Sequence, residues 1–345
     1  MVSTRKIFEN GKGVKMIDFS NCKIDPFRAY DGANGSKICV IYENERYMIK
    51  FPTYSKNNKE MHYTNGCLNE HLASSIYQTL EIDTQDTILG IYNDKEVVAC
   101  KDFCNPGDRI INFGMIKNQC INSEYNGFGT ELNSVLEAIE TQQVYDSIEL
   151  KQHFWKMFVA DALLGNFDRH NGNWGVIVNE INSSIRIAPV YDNGSCLYPQ
   201  LLDSQMRRIL QDINEINNRI YVFPNSALKE NDKKINYFDF LSHTKDKECL
   251  NALVYVHNHY NQKTVMDIIE NAPISDVKKM FYETMISARN EKIIEKALEL
   301  QKDFCLKLAD GRYISREDYV DAVLDGRAPD LYQEKESRIY EELER

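Results

Sequence analysis

The chain has 345 residues, of which 43% are hydrophobic and 11% aromatic, enough to bury one large core or two lobes and too rich in Tyr and Phe for a disordered polymer. A formal net charge of −11 disfavours a general nucleic-acid binder, which carries a basic excess on its surface. Nine scattered cysteines without a CxxC pair or zinc spacing read as reduced cytoplasmic thiols; a polar N-terminus and the lack of a long apolar run exclude a signal peptide and a membrane helix.

From residue 16 to about 105 strand and helix signals alternate. KICVIYENERYMIKFP, residues 37 to 52, reads as a β-hairpin around a polar ENE turn. NGCLNEHLASSIYQTLEI follows with Leu68, Leu72, Ile76 and Leu80 on one helical face and Glu70 and Ser74 off it. TILGIY and KEVVACKDF give a second hairpin around NDK. Hairpin, helix and hairpin make an α+β lobe.

Beyond residue 105, the Gly-, Asn- and Pro-rich stretch up to NGFG reads as a connector. ELNSVLEAIETQQ and SIELKQHFWKMFVADALLG have helical periodicity, WGVIVN and IRIAPVYD form one more hairpin, and residues 201 to 345 read as mostly helical. The expected division is a lobe at 16–105, a larger helical lobe at 106–330 and a charged tail at 331–345.

The turn LLGNFDRHNGNWG concentrates side chains that bind protons, cations and phosphates directly after an apolar helix. Phosphoryl transfer needs hard oxygen ligands for Mg²⁺ and a carboxylate beside the attacking hydroxyl. Asp168 and Asn173 give the D-x-x-x-x-N spacing of a kinase-type catalytic loop, and the hairpin that follows returns the chain so that Asp192, expected at the end of its second strand, neighbours Asn173. Either motif alone is ordinary turn material, and a single histidine such as His170 is by default structural.

The first lobe can be tested as an ATP clamp. DGANGSK precedes the first strand, and its small residues let backbone N–H groups approach phosphates. Lys50 closes the next strand between apolar neighbours and needs an anionic partner, for which Glu70 on the following helix is the candidate. Both residue types are ordinarily solvated, so the pairing is an expectation. VVACKDF stands where a kinase-like fold puts the hinge that pairs with adenine, which makes Val98, Ala99, Cys100 and Phe103 nucleotide-facing candidates.

GANGSKI, YMIKFP, NGCLNEHLA, VVACKDF, FVADALLGNFDRHNGNWG and IAPVYDNGSCLYP resemble, in the same order, segments of the HipA-like serine/threonine kinases, from about residue 16 to about 300. The resemblance implies a two-lobed protein-kinase-like fold, α+β, with a small β-rich N-lobe and a larger α-rich C-lobe. It implies transfer of the γ-phosphate of ATP to Ser or Thr of a protein substrate, with Mg²⁺ as cofactor. By it Asp168 is the catalytic Asp, Asn173 and Asp192 hold metal, and Lys50 with Glu70 grips the nucleotide. Gly32, Ala33, Asn34, Gly35, Ser36 and Lys37 form the phosphate loop, His170 is a further nucleotide contact, and Ser36 falls where family members autophosphorylate.

The family's toxin members carry a subdomain ahead of this loop that works with antitoxin and DNA; here the loop begins by residue 32, so no direct nucleic-acid role is expected, while an antitoxin-like partner stays open. Export to host cells without a signal peptide stays open too. The same catalytic loop serves a small-molecule or lipid kinase, and a nucleotide-binding pseudokinase is the third reading, against which Lys50, Asp168, Asn173 and Asp192 are all intact.

Overall fold

The β-branched and aromatic alternation of the first part of the chain becomes a seven-stranded sheet in the computed structural model, which describes residues 7–9, 15–30, 37–52, 64–121 and 126–333. Its strands are β1 (Ile7–Glu9), β2 (Lys15–Asp18), β3 (Lys23–Ile24), β4 (Lys37–Tyr42), β5 (Glu45–Lys50), β6 (Thr87–Tyr92) and β7 (Lys95–Lys101). They lie in the order β1-β2-β6-β7-β5-β4-β3, antiparallel except where β2 meets β6. Two tight hairpins, turning at Glu43–Asn44 and Asn93–Asp94 with positive φ at all four residues, set the registers. Lys37 lies opposite Lys50, and Lys50 opposite Val98.

The sheet has two apolar faces. Phe19, Val40, Ile49, Val97 and Ala99 form a small core on one; Val98 and Cys100 face Cys67 of α1 (Gly66–Thr79) on the other. Period-two alternation along β5 therefore puts Lys50 on the face of α1, one residue after core-facing Ile49.

The stretch after residue 105 is not a bare connector. It holds β8 (Asp108–Asn112) and α2 (Phe113–Cys120), with the Asn112 side chain accepting the Met115 N–H as an N-cap. Its Asn and Gly residues are caps and turns, and their density hides two short elements. Next come α3 (Leu132–Thr141), α4 (Ser147–Leu164), β9 (Gly175–Asn179) and β10 (Ser184–Ile187), and β8, β9 and β10 make a three-stranded sheet. The strand expected to end at Asp192 ends at Ile187 instead.

The remainder is α5 (Asp203–Leu210), α6 (Ile213–Asn217), a π-helical turn at Asn218–Val222, the hairpin β11 (Lys229–Glu230) and β12 (Lys233–Lys234), α7 (Tyr237–His243), α8 (Lys247–His259), α9 (Gln262–Glu270) and α10 (Asp276–Arg289). A π-helical Asn290–Glu295 leads into α11 (Lys296–Leu300), β13 (Cys305–Lys307), β14 (Tyr313–Ser315) and α12 (Arg316–Leu324). Within the stretch 201 to 345 expected to be mostly helical, this helical run stops at Leu300; the chain turns at Gln301–Phe304 and Cys305 opens a hairpin paired with Ser315. The main core gathers around α4, where Trp155, Phe158 and Phe240 stack together and Trp174 lies on Phe113 at 4.0 Å. Among the described residues no helix is long and apolar enough to cross a membrane.

Candidate active site

α4 is buried on nearly every side, so a charged residue on it needs partners inside the protein. Asp161 is that residue. Its carboxylate accepts Tyr77 OH at 2.7 Å, Asn166 Nδ2 at 2.8 Å, and Arg169 Nε and Nη2 at 3.0 and 3.2 Å. The helix ends at Gly165, φ 66°, where a Cβ would stand 2.8 Å from the Pro224 ring. The chain then enters the loop that carries Asp168.

Arg169 is the staple of this loop. Besides Asp161 it donates to the carbonyls of Asn173 and Tyr191 and to the Asn193 side chain, joining the start of the loop to the stretch around Asp192. Asn166 Oδ1 accepts the Asp168 N–H at 3.0 Å, and Asn171 donates to the carbonyls of Gly127 and Gly129, each at 2.9 Å. Asn173 Nδ2 donates to the Asp168 carbonyl at 3.1 Å, which leaves its carboxamide oxygen for another partner. His170 accepts the Gly172 N–H at Nδ1 and serves the turn.

Across the cleft, Lys50 Nζ donates to Glu70 Oε2 at 3.0 Å and to Asp192 Oδ1 at 2.9 Å. One ammonium thus joins β5, α1 and the second lobe. Glu70 also accepts the Asn193 N–H at 3.0 Å, and Asn69 donates to the carbonyls of Cys196 and Leu197 while accepting Tyr282 OH. Asp192 has φ 61°, a left-handed conformation tolerated by Asp, and turns its carboxylate toward Lys50.

The charges respond to these contacts. Burial pulls Lys50 toward neutrality, but Asp192 and Glu70 outweigh it and hold the ammonium well above its usual value. Lys50 in turn holds Asp192 down at about 2, with Lys37 and Arg169 adding to the effect. Asp168 moves the other way: burial raises it, and the neighbouring Asp192 charge raises it further against the fields of His170 and Lys234. Two nearby carboxylates are thereby shifted in opposite directions, Asp192 down and Asp168 up.

The expected nucleotide contacts divide. Gly32 to Ser36 lie outside the described residues; Lys37 opens β4, opposite Lys50. Of the hinge candidates, Val98, Ala99 and Cys100 sit inside β7 with both neighbouring strands paired to them, and the Ala99 side chain faces away from α1. The segment between the lobes is residues 102–105, where Phe103 packs against Tyr191 with ring centroids 5.9 Å apart. There the Asp102 carboxylate accepts Arg28 Nε at 2.7 Å, Arg28 Nη2 at 3.1 Å, Tyr30 OH at 3.0 Å and its own turn's Cys104 N–H at 3.0 Å. This clamp fastens the segment just before residue 31 to the inter-lobe crossing.

Asp161, Arg169, Asn193, Asn69 and Asp102 escaped the sequence reading. A visible signal existed for Asp161, a lone acid within apolar FVADALLG, and for Arg169, a cation inside the motif itself. None existed for the long-range partners.

The donor set fits a phosphate-bound divalent ion. Asn173 and Asp192 offer hard oxygens, and among the described residues no cluster of three His, Cys, Asp or Glu could hold a metal alone. Such an ion needs phosphate and water for its other ligands, which is how Mg²⁺ is usually held.

A family model, the HipA-like C-terminal domain, matches residues 32–234. Serine/threonine-protein kinase CtkA of Helicobacter pylori is 48% identical over 283 residues, spanning 81% of this chain and 87% of that one. The crystal structure of a Helicobacter pylori proinflammatory kinase, CtkA, superimposes with a TM-score of 0.79 at 47% identity, covering 83% of this chain and 98% of the other. HipA of Shewanella oneidensis, solved with HipB and operator DNA, gives 0.50 at 14% identity over 81% of this chain and 70% of that one, a likeness of fold alone.

Proposed function

Because this chain belongs to the HipA-like family and is a serine/threonine-protein kinase, we propose that it transfers the γ-phosphate of Mg-ATP to protein Ser or Thr hydroxyls through the cleft between its lobes. The observation that carries this reading is the Lys50 bridge to Glu70 and Asp192, set opposite a half-buried Asp168. When bound, Mg-ATP supplies the phosphoryl group and the divalent charge that offsets its oxygens.

The rest is done by the chain. Lys50 holds the α and β phosphates and is oriented by Glu70. Asn173 and Asp192 hold the metal, Asp192 as a carboxylate at any working pH. Asp168 takes the proton from the acceptor hydroxyl as its oxygen attacks, and Arg169 keeps Asp168 and Asp192 in register without touching substrate. Residues 102–105 back the adenine, and Gly32 to Lys37 cover the phosphates. Ser36 is the proposed autophosphorylation site; a phosphate there adds roughly two negative charges beside those of the nucleotide and displaces the loop. An effector role outside the producing cell follows only from likeness to a kinase described as proinflammatory.

The test is transfer of labelled γ-phosphate by the purified protein, alone and with a generic protein acceptor, beside Asp168→Ala. Label that drops roughly 10²- to 10⁴-fold in the variant supports the reading. Label unchanged in Asp168→Ala, or none on any protein while ATP still binds, sinks it. Phosphopeptide mapping that finds Ser36 unmodified removes the autophosphorylation proposal alone.

A further inference from the structure

The β11–β12 hairpin lies along the catalytic loop and is tied to it at both ends. On one side Tyr237, which opens α7 just after β12, donates its hydroxyl to the Asn166 carbonyl at 2.6 Å. On the other, Lys229 donates its N–H to the Thr130 carbonyl at 2.9 Å, next to Gly129, whose carbonyl accepts Asn171 Nδ2. Asn166 is thus anchored to the residue that follows the hairpin, and Asn171 to residues 127–129, whose neighbour Thr130 bonds the hairpin; Asp168 lies between the two in sequence. The field of Lys234 at Asp168 agrees with this placement.

The hairpin's own pairing is unusual. Lys229 stands directly opposite Lys234, and Glu230 opposite Lys233. Like charges directly opposite across a strand pair are destabilising, whereas the neighbouring Glu230–Lys233 pair is opposite in sign. Among the described residues neither Lys229 nor Lys234 has a carboxylate within ion-pair distance, and Lys234 is exposed. Of the acids nearby, Glu131 neighbours Lys229 across a parallel bridge and accepts the Asp232 N–H at 3.1 Å, and Glu230 stands opposite Lys233, one residue along from Lys229 and Lys234. In a chain of net charge −11, two lysines facing each other on a hairpin whose Lys234 acts on Asp168 are a local reversal of sign. An anion that arrived with the acceptor would relieve them.

We propose that Lys229 and Lys234 form the acceptor-selecting edge of the active site and grip an Asp or Glu side chain that neighbours the Ser or Thr to be phosphorylated. The inference rests on the kinase reading above and adds the acceptor's chemistry. The other flank of the acceptor meets the exposed side chains of Val222 and Phe223, the latter packed on Phe167 of the catalytic loop with ring centroids 5.6 Å apart. The preferred acceptor is therefore acidic on one side of the hydroxyl and tolerant of apolar residues on the other.

The experiment gives the full chain and Mg-ATP three peptides of equal length around one serine, flanked by Glu and Asp, by Gln and Asn, or by Lys and Arg. Lys234→Gln, Lys229→Gln and Lys234→Glu are assayed beside the wild type. The expected result is a kcat/KM at least about tenfold higher for the acidic than for the neutral peptide, expressed mainly in KM and reduced by added salt. In either Gln variant that ratio collapses toward one, and in Lys234→Glu the preference moves to the basic peptide. A wild type indifferent to the flanks overturns the proposal. So does a Lys234→Gln variant that loses kcat equally on all three peptides, which would assign the lysine to the transferred phosphoryl group instead. Autophosphorylation in the same reactions separates the failures: if it too is absent, the kinase reading falls and this inference with it.

Discussion

Asp168 and Asp192 are carboxylates of one site pushed in opposite directions, Asp168 upward by burial and by Asp192, Asp192 down to about 2 by Lys50. With Asp168 as the proposed base, which must be ionised to accept a proton, kcat/KM should fall as pH drops through its raised value, above the ordinary carboxylate value of about 4. Rate profiles over pH, with Asp168→Asn as the reference that loses this limb, check it. The depressed Asp192 works the other way for stability: its contribution is complete above about 4 and is lost as pH falls from there toward about 2. Arg169 and Asp161 are a buried pair, and removing one partner strands the other. Arg169→Met should cost about 3–5 kcal/mol in denaturant unfolding, and Asp161→Asn with Arg169→Met together should cost less than the sum of the singles. That Asp168, Asn173 and Asp192 come together was legible because a short loop and a hairpin return the chain; Arg169 was visible as a residue, but its four-way bonding depends on chain segments that approach only in the fold.

At the level of elements, α1 was legible from its apolar spacing, and Glu70 emerged as Lys50's partner. Its other face was not: Asn69, Glu70 and Ser74 are all buried against the loop after Asp192, so the helix is clasped on its polar side as well. Asn69→Ala should therefore loosen α1 from the second lobe, seen as faster amide exchange in residues 66–79 and a lower kcat with the protein still folded. Of the expected hinge stretch VVACKDF, Val98, Ala99 and Cys100 lie inside β7 and Phe103 lies in the crossing after it, a boundary that backbone hydrogen bonding leaves without a residue signature. The clamp on that crossing is testable. Asp102→Asn weakens charge-assisted bonds to Arg28, so KM for ATP should rise roughly three- to tenfold, in line with about 1 kcal/mol, while kcat changes little. An unaltered KM would make the clamp purely structural.

The two-lobed plan was readable at the scale of the molecule because strand periodicity gives way to helical periodicity near residue 105. The expected divide hid a mechanical detail, since the stretch read as a connector supplies β8. That strand begins three residues after the inter-lobe segment and pairs with β9, which starts two residues beyond Asn173; β9's other neighbour, β10, leads to Asp192. Arg186 of β10 reaches back to the Phe103 carbonyl and to Asp108. The crossing between lobes and the stretches that carry Asn173 and Asp192 are thus joined through one small sheet. A swing that widens the cleft should therefore also turn the platform under Asn173 and Asp192, so that closing the lobes and aligning those two side chains would be one motion.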